Sequence, residues 1–112
     1  MNYVKNIKKI LPQFDKFIFC NSGSEANIKA LRICRAISNK EKIVMVTGSW
    51  HGSADQLLFN FRDKKITALS DGLDNKLKKN ILFIPYNEFS KSKEILDKHI
   101  NEIACVILEP IQ

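Results

Sequence analysis

Two short runs, Ile43-Val44-Met45-Val46 and Cys105-Val106-Ile107-Leu108, are apolar at every position. A strand with one face in water alternates apolar with polar residues, because successive side chains point to opposite faces. Unbroken apolar runs of this length therefore read as strands covered on both faces, the pattern of a parallel sheet flanked by helices. Strands are expected over 16–21, 42–47, 81–86 and 104–110, the last two stopped by Pro85 and Pro110. Between them lie helical patterns. In 24–38, Ala26, Ala30, Ile33, Cys34 and Ile37 gather on one expected inner face, with Glu25, Lys29 and Arg32 opposite. In 90–103, Ser90 is the expected N-cap, with Leu96, Ile100 and Ile103 inward. Residues 52–59 suit a short helix. The polar stretch that follows, centred on "LSDGLDNKLKKN", reads as mostly loop. Strands alternating with helices define an α/β architecture with a mainly parallel sheet and helices on both faces.

At 112 residues the chain is expected to be one domain with a small core. Its hydrophobic content of 45% and charged content of 27% suit a globular protein. No apolar run approaches the ~20 residues of a membrane span. The basic start lacks the apolar centre of a secretory signal, so a cytoplasmic location is expected. Cys20, Cys34 and Cys105 are odd in number, widely spaced and set among apolar neighbours. They read as small buried hydrophobes in a reducing compartment, and no metal site is expected from them. The net charge of +6 comes from scattered lysines without interleaved aromatics, so nucleic acid is not an expected partner.

In open α/β sheets ligands bind beyond the carboxyl ends of the strands. That rule selects "NSGSEA", "GSWHG" and "EP", which share one rim if the strands are parallel. The first turn of a helix has amide groups without intrahelical partners and welcomes an anion. Gly23 lets a ligand approach the backbone, and Ser22 and Ser24 add hydroxyls. The same Ser-x-x-Glu spacing also suits an ordinary capping box from Ser22 to Glu25 with no ligand. Trp50, the sole tryptophan, offers a planar face to a ring, or a core side chain. His51 can donate a hydrogen bond or move a proton near neutral pH, or lie idle at the surface. Glu109 is either a functional carboxylate or a turn cap. His99, on a charged helix, reads as surface.

Taken together, "NSGSEANIKALRICRA", "KIVMVTGSWHGSADQLLF" and "CVILEPIQ" resemble the class III aminotransferases, a family of pyridoxal-phosphate enzymes, and within it the glutamate-1-semialdehyde 2,1-aminomutase-like branch. The resemblance covers most of residues 17–112. It implies a fold-type-I large domain binding pyridoxal 5′-phosphate, with Ser22, Gly23 and Ser24 at the phosphate. Trp50 stands where the family usually has Tyr or Phe on the pyridine ring. His51 completes that motif, and Glu109 lies at the cofactor's edge. The implied activity is amino-group transfer between small-molecule donors and acceptors, in a homodimer when full length. In the family the Schiff-base lysine and the carboxylate facing the pyridine nitrogen follow the Glu-Pro segment, and no residue here matches either. The expectation is therefore a partial cofactor-binding large domain over 1–112, lacking the N-terminal segment, the catalytic-lysine half and the small domain, and inactive alone. A non-catalytic phosphate-ligand-binding or interaction fragment is the alternative.

Overall fold

The computed structural model describes residues 3–111; Met1, Asn2 and Gln112, the ends of the expected domain range, lie outside them. Helix α1 (Tyr3–Ile10) is followed by an extended segment and then by α2 (Gly23–Ser38), β1 (Lys42–Val46), the hairpin β2 (Phe59–Arg62) and β3 (Lys65–Ala68), β4 (Ile81–Ile84), α3 (Phe89–His99) and β5 (Ile103–Ile107). Short 3₁₀ turns occupy Asp55–Leu57 and Asn75–Asn80.

The three expected strands β1, β4 and β5 form one parallel sheet in the order β4-β1-β5. Ile43 stands opposite Ile81 on one side and Cys105 on the other. A central strand is covered on both faces, and β1 shows it: Ile43 and Val44 are 0% exposed and Met45 1%. Ile43 and Met45 point to one face, where they join Leu31 of α2, Leu57, Phe59 and Ile81 in the core. Val44 points the other way, toward the face on which α3 follows β4. Helices thus flank the sheet, as the apolar runs require.

Residues 16–21 form no strand. Ile18 is 62% and Phe19 57% exposed, and no strand lies alongside to take up their backbone groups. The short helix expected over 52–59 is only the turn Asp55–Leu57, and the stretch after residue 59, expected as mostly loop, begins instead within an antiparallel hairpin pairing Phe59 with Ala68 and Arg62 with Lys65. Its two-residue turn places Asp63 and Lys64 at φ 51° and 59°. Turns of this kind favour Asn-Gly or Asp-Gly. Asp-Lys carries a weaker signal, which explains the missed hairpin.

The inner face of α2 also differs from expectation. Ile33 and Ile37 are exposed, as are Ala26 and Ala30, while Asn27, Ile28, Leu31, Cys34, Arg35 and Ser38 face inward. The polar members of that face are bonded. Asn27 donates to the His51 carbonyl (2.8 Å), Arg35 to the Glu41 carbonyl (3.1 Å) and to Gln56 Oε1 (2.6 Å), and Ser38 to the Cys34 carbonyl (2.7 Å). The bonds from Asn27 and Arg35 leave the helix and fix its rotation around Leu31, whereas Ser38 bonds back within it; apolar periodicity alone reveals none of them. In α3 the cap position is Glu88, not Ser90, because the chain leaves its left-handed turn at Asn87 (φ 54°) two residues earlier than expected. Ile100 ends up exposed beyond the helix, and Ile103 belongs to β5. His99 is half-buried at the helix end, its Nδ1 2.8 Å from Glu102 Oε1. The three cysteines are free and half-buried rather than fully enclosed. Burial and the adjoining Cys34 thiol push the Cys105 thiol up to about 11.

Candidate functional site

The carboxyl ends of β1 and β5 and the opening of α2 meet at one rim, as the parallel sheet requires. At the helix, the amide of Glu25 donates to Ser22 Oγ (3.2 Å), and the Glu25 carboxylate accepts from the Asn21 amide (2.9 Å). This is the reciprocal cap anticipated from Ser-x-x-Glu, with the return bond falling one residue before the cap. The Ser22 hydroxyl is therefore engaged by the helix itself. The first intrahelical bond runs from the Ala26 amide to the Ser22 carbonyl (3.1 Å). The amides of Gly23 and Ser24 precede it and point out of the helix. The space beside Gly23 is open: a Cβ built there meets nothing within 4 Å.

The loop after β1 comes down onto this opening. Gly48 and Gly52 adopt φ 86° and 93°, a region L-residues with side chains rarely enter. Gly52 does so directly against Ser24: an added Cβ would lie 2.4 Å from Ser24 Oγ and 3.2 Å from Ser24 Cα. The next amide, of Ser53, donates to Ser24 Oγ (3.1 Å), and the two serine hydroxyls lie 3.3 Å apart. Two of the three expected sequence pieces are thus in contact, through Ser24 and the loop carrying Trp50 and His51.

Trp50 is 62% exposed, so its indole is not a core side chain. His51 is the reverse: it is 7% exposed and not a surface residue. Its Nε2 lies 2.9 Å from Ser49 Oγ, which itself donates to the Val46 carbonyl (2.6 Å). Ser49 has a single hydroxyl hydrogen, so it accepts from His51, and the ring carries its proton on Nε2. Burial holds the imidazole below its ordinary pKa, and the charge of Glu109 opposes that shift without reversing it. His51 is therefore a neutral donor that shapes the loop. The third piece meets the second at the groove wall, where Glu109 and Ser49 both line one groove.

This groove, of about 460 Å³, has Ser49, Ile84, Tyr86 and Phe89 among its walls. The groove lies beyond the carboxyl ends of all three parallel strands. Trp50, Gly23 and Ser24 are not among its lining residues, so the groove does not contain the helix opening. Among the described residues no three His, Cys, Asp or Glu side chains gather as a metal would need. Asn27, Ser49 and Ser53 were not anticipated as site residues. For Asn27 a signal was present, since an asparagine inside a helix is unfavourable unless its side chain finds a partner.

A parallel sheet flanked by helices, with a glycine-bearing helix opening and an aromatic loop on its carboxyl rim, places the chain in the α/β class whose ligand sites lie at that rim. The family described as aminotransferase class-III matches residues 1–112. Glutamate-1-semialdehyde 2,1-aminomutase from Archaeoglobus fulgidus is 39% identical over 114 aligned positions, covering 99% of this chain and 27% of that protein. A β-phenylalanine aminotransferase from Variovorax paradoxus superposes with a TM-score of 0.74 at 29% identity, over 96% of this chain and 23% of that one. A transaminase with PLP bound does so with a TM-score of 0.73, also at 29% identity, over 82% and 22%. The chain belongs to the class-III aminotransferase family, and it spans about a quarter of the length of the curated relatives it matches.

Proposed function

We propose that this chain is the front part of the large domain of a pyridoxal-phosphate-dependent aminotransferase or glutamate-1-semialdehyde-aminomutase-like enzyme. Its part in the reaction is to hold the cofactor. The observation that carries the reading is the contact between Gly52 and Ser24. Only a residue without a side chain lets the tryptophan loop reach the helix opening, and that close approach supports reading Trp50 and the amides of Gly23 and Ser24 as parts of one site.

The residues present fit pyridoxal 5′-phosphate. The amides of Gly23 and Ser24 receive the phosphate, where the helix dipole favours negative charge. The open space beside Gly23 admits it. Ser22 supports this cup through the helix cap. Trp50 offers its exposed indole to the pyridine ring. His51, neutral and proton-bearing on Nε2, keeps the loop in shape from below. Glu109 stands at the cofactor's edge and biases that rim toward positive groups. When bound, the cofactor supplies the electron sink that lets an amino group be exchanged at a substrate carbon. The residues named here bind and orient, and proton transfer is assigned to none of them.

For the complete protein we propose a homodimer acting on small amino donors and acceptors in the cytoplasm. The exposed apolar side chains of Ile33 and Ile37 on α2, with Phe14 and Phe19 before it, support association. The free cysteines support a reducing compartment. Among the described residues no helix is long and apolar enough to cross a membrane.

Pyridoxamine 5′-phosphate tests the cup without an aldehyde to react with surface lysines. Saturable quenching of Trp50 emission is expected with it, and much weaker quenching with pyridoxamine lacking the phosphate. Equal quenching by both compounds would remove the phosphate cup from the account.

A further inference from the structure

The loop 48–53 touches α2 at two levels. At the opening turn, Gly52 and Ser53 pack on Ser24. One turn further into the helix, the side-chain amide of Asn27 donates to the main-chain carbonyl of His51 over 2.8 Å. The second contact differs in kind from the first. Among the described residues it is the one side-chain bond from α2 to the backbone on the Trp50 side of Gly52, and it acts on the peptide unit that joins His51 to Gly52. Gly52 has no side chain to hold its conformation, and it sits at φ 93°. A bond to the carbonyl just before it restrains that peptide unit and tethers the Trp50 side of the loop to α2.

The other end of the loop is tied as well. Ser49 Oγ connects the Val46 carbonyl to the His51 ring, so the residues on both sides of Trp50 are fixed while its indole remains in solvent. Asn27 is half-buried on the inner face of α2, where an unpartnered amide would be unfavourable. Among the residues of that face it is the one whose partner belongs to the Trp50 loop.

We propose that Asn27 is a positioning residue: its amide, bonded to the His51 carbonyl, clamps the tryptophan loop onto α2, so that the indole face and the amides of Gly23 and Ser24 are held as one unit. This rests on the cofactor-cup reading for its consequence in binding, but not for the clamp itself. Asn27 would not touch the cofactor. It sets the separation between the two surfaces that do, and so lowers the cost of ordering the loop when a ligand binds.

The test uses the sole tryptophan as its reporter. In Asn27→Ala, acrylamide quenching of Trp50 is expected to rise and its fluorescence anisotropy to fall in the ligand-free chain. Affinity for pyridoxamine 5′-phosphate is expected to weaken about fivefold, the size of one lost positioning hydrogen bond. Asn27→Asp keeps the shape but presents only acceptors to the His51 carbonyl, and it should show the same changes. Asn27→Gln keeps the donor and should recover part of the anisotropy. Far-ultraviolet circular dichroism verifies that each variant is folded, and a donor-free variant that unfolds is replaced by Asn27→Leu, which keeps the side-chain volume and removes the donor. A general loss of stability would lower the melting temperature without a selective rise in Trp50 quenching; that result overturns the clamp. Unchanged quenching and anisotropy in folded Asn27→Ala and Asn27→Asp overturn it too. If the unaltered chain binds no pyridoxamine 5′-phosphate, the cofactor reading fails, and the clamp stands or falls on the ligand-free measurements.

Discussion

Two apolar segments lead to the same helix opening, and they are held in different ways. β1 runs into the tryptophan loop with Ile43, Val44 and Met45 at 1% exposure or less, and a strand bonded on each side. Residues 16–20 run into Asn21 and Ser22 with Ile18 and Phe19 mostly exposed and no strand beside them. What holds the second segment is local: Lys29 Nζ on the Phe19 carbonyl (3.5 Å), a ring contact between Tyr3 and Phe19 with centroids 5.5 Å apart, and the cap around Ser22. One arm of the site takes its position from the core, and the other from a helix end. The tryptophan side is therefore the more firmly anchored arm, and the approach to the opening of α2 is the adjustable one.

This contrast predicts a wide spread of mutational effects. Met45→Ala should cost ~2–5 kcal/mol in urea unfolding, because it opens a cavity where no neighbour can collapse fully. Ile18→Ala should change stability by less than ~0.5 kcal/mol. Comparable losses at both positions would show that the two arms are equally anchored. A sharper probe is Gly52→Ala, which adds a methyl against Ser24 at a positive φ and should cost ~1–3 kcal/mol. Adding Ser24→Gly removes the hydroxyl that the methyl meets at 2.4 Å and should return part of that loss. If the second change gives no relief, the loop does not rest on the helix opening as described.

Ser22→Ala should cost about 1 kcal/mol and raise hydrogen exchange at the Glu25 amide while leaving β1 protected. Exchange rising equally in β1 would mean that the cap and the core are not separate supports. The smallest effect concerns pH. An unfolded histidine titrates near 6.5, and burial keeps His51 below that value. Above the unfolded value both states are neutral there. As pH falls through it, the unfolded chain takes up a proton that the folded chain resists, so stability declines until the lower folded value is passed. His51→Gln should flatten this decline. An unaltered slope would show that the imidazole titrates freely.

Much of this architecture is legible in the residues themselves. The two unbroken apolar runs identify β1 and β5 as strands; only β1 is covered on both faces, since Val106 is 41% and Leu108 52% exposed, and the small polar turn marks the opening of α2. The segment 16–21 carries the same apolar signal and forms no strand, because composition records a preference for burial and not the presence of a neighbour to pair with. The rotation of α2 was hidden for a related reason. Asn27, Arg35 and Ser38 turn inward to partners up to 24 residues away in sequence, and a periodicity of apolar residues cannot see such bonds. At the site, the rim and its glycines follow from strand direction and turn chemistry. The burial of His51 does not, since it depends on a Ser49 hydroxyl that is held by the Val46 carbonyl and meets the ring at Nε2.

The account depends most on the first-turn amides and the indole addressing one ligand. Amide and indole resonances followed by ¹H–¹⁵N spectroscopy during titration with pyridoxamine 5′-phosphate test this directly. The Gly23 and Ser24 amides and the Trp50 indole N–H should shift together along a single binding curve. Shifts spread over the lysine-bearing surface, or a Trp50 signal that stays still while the helix amides move, would contradict it.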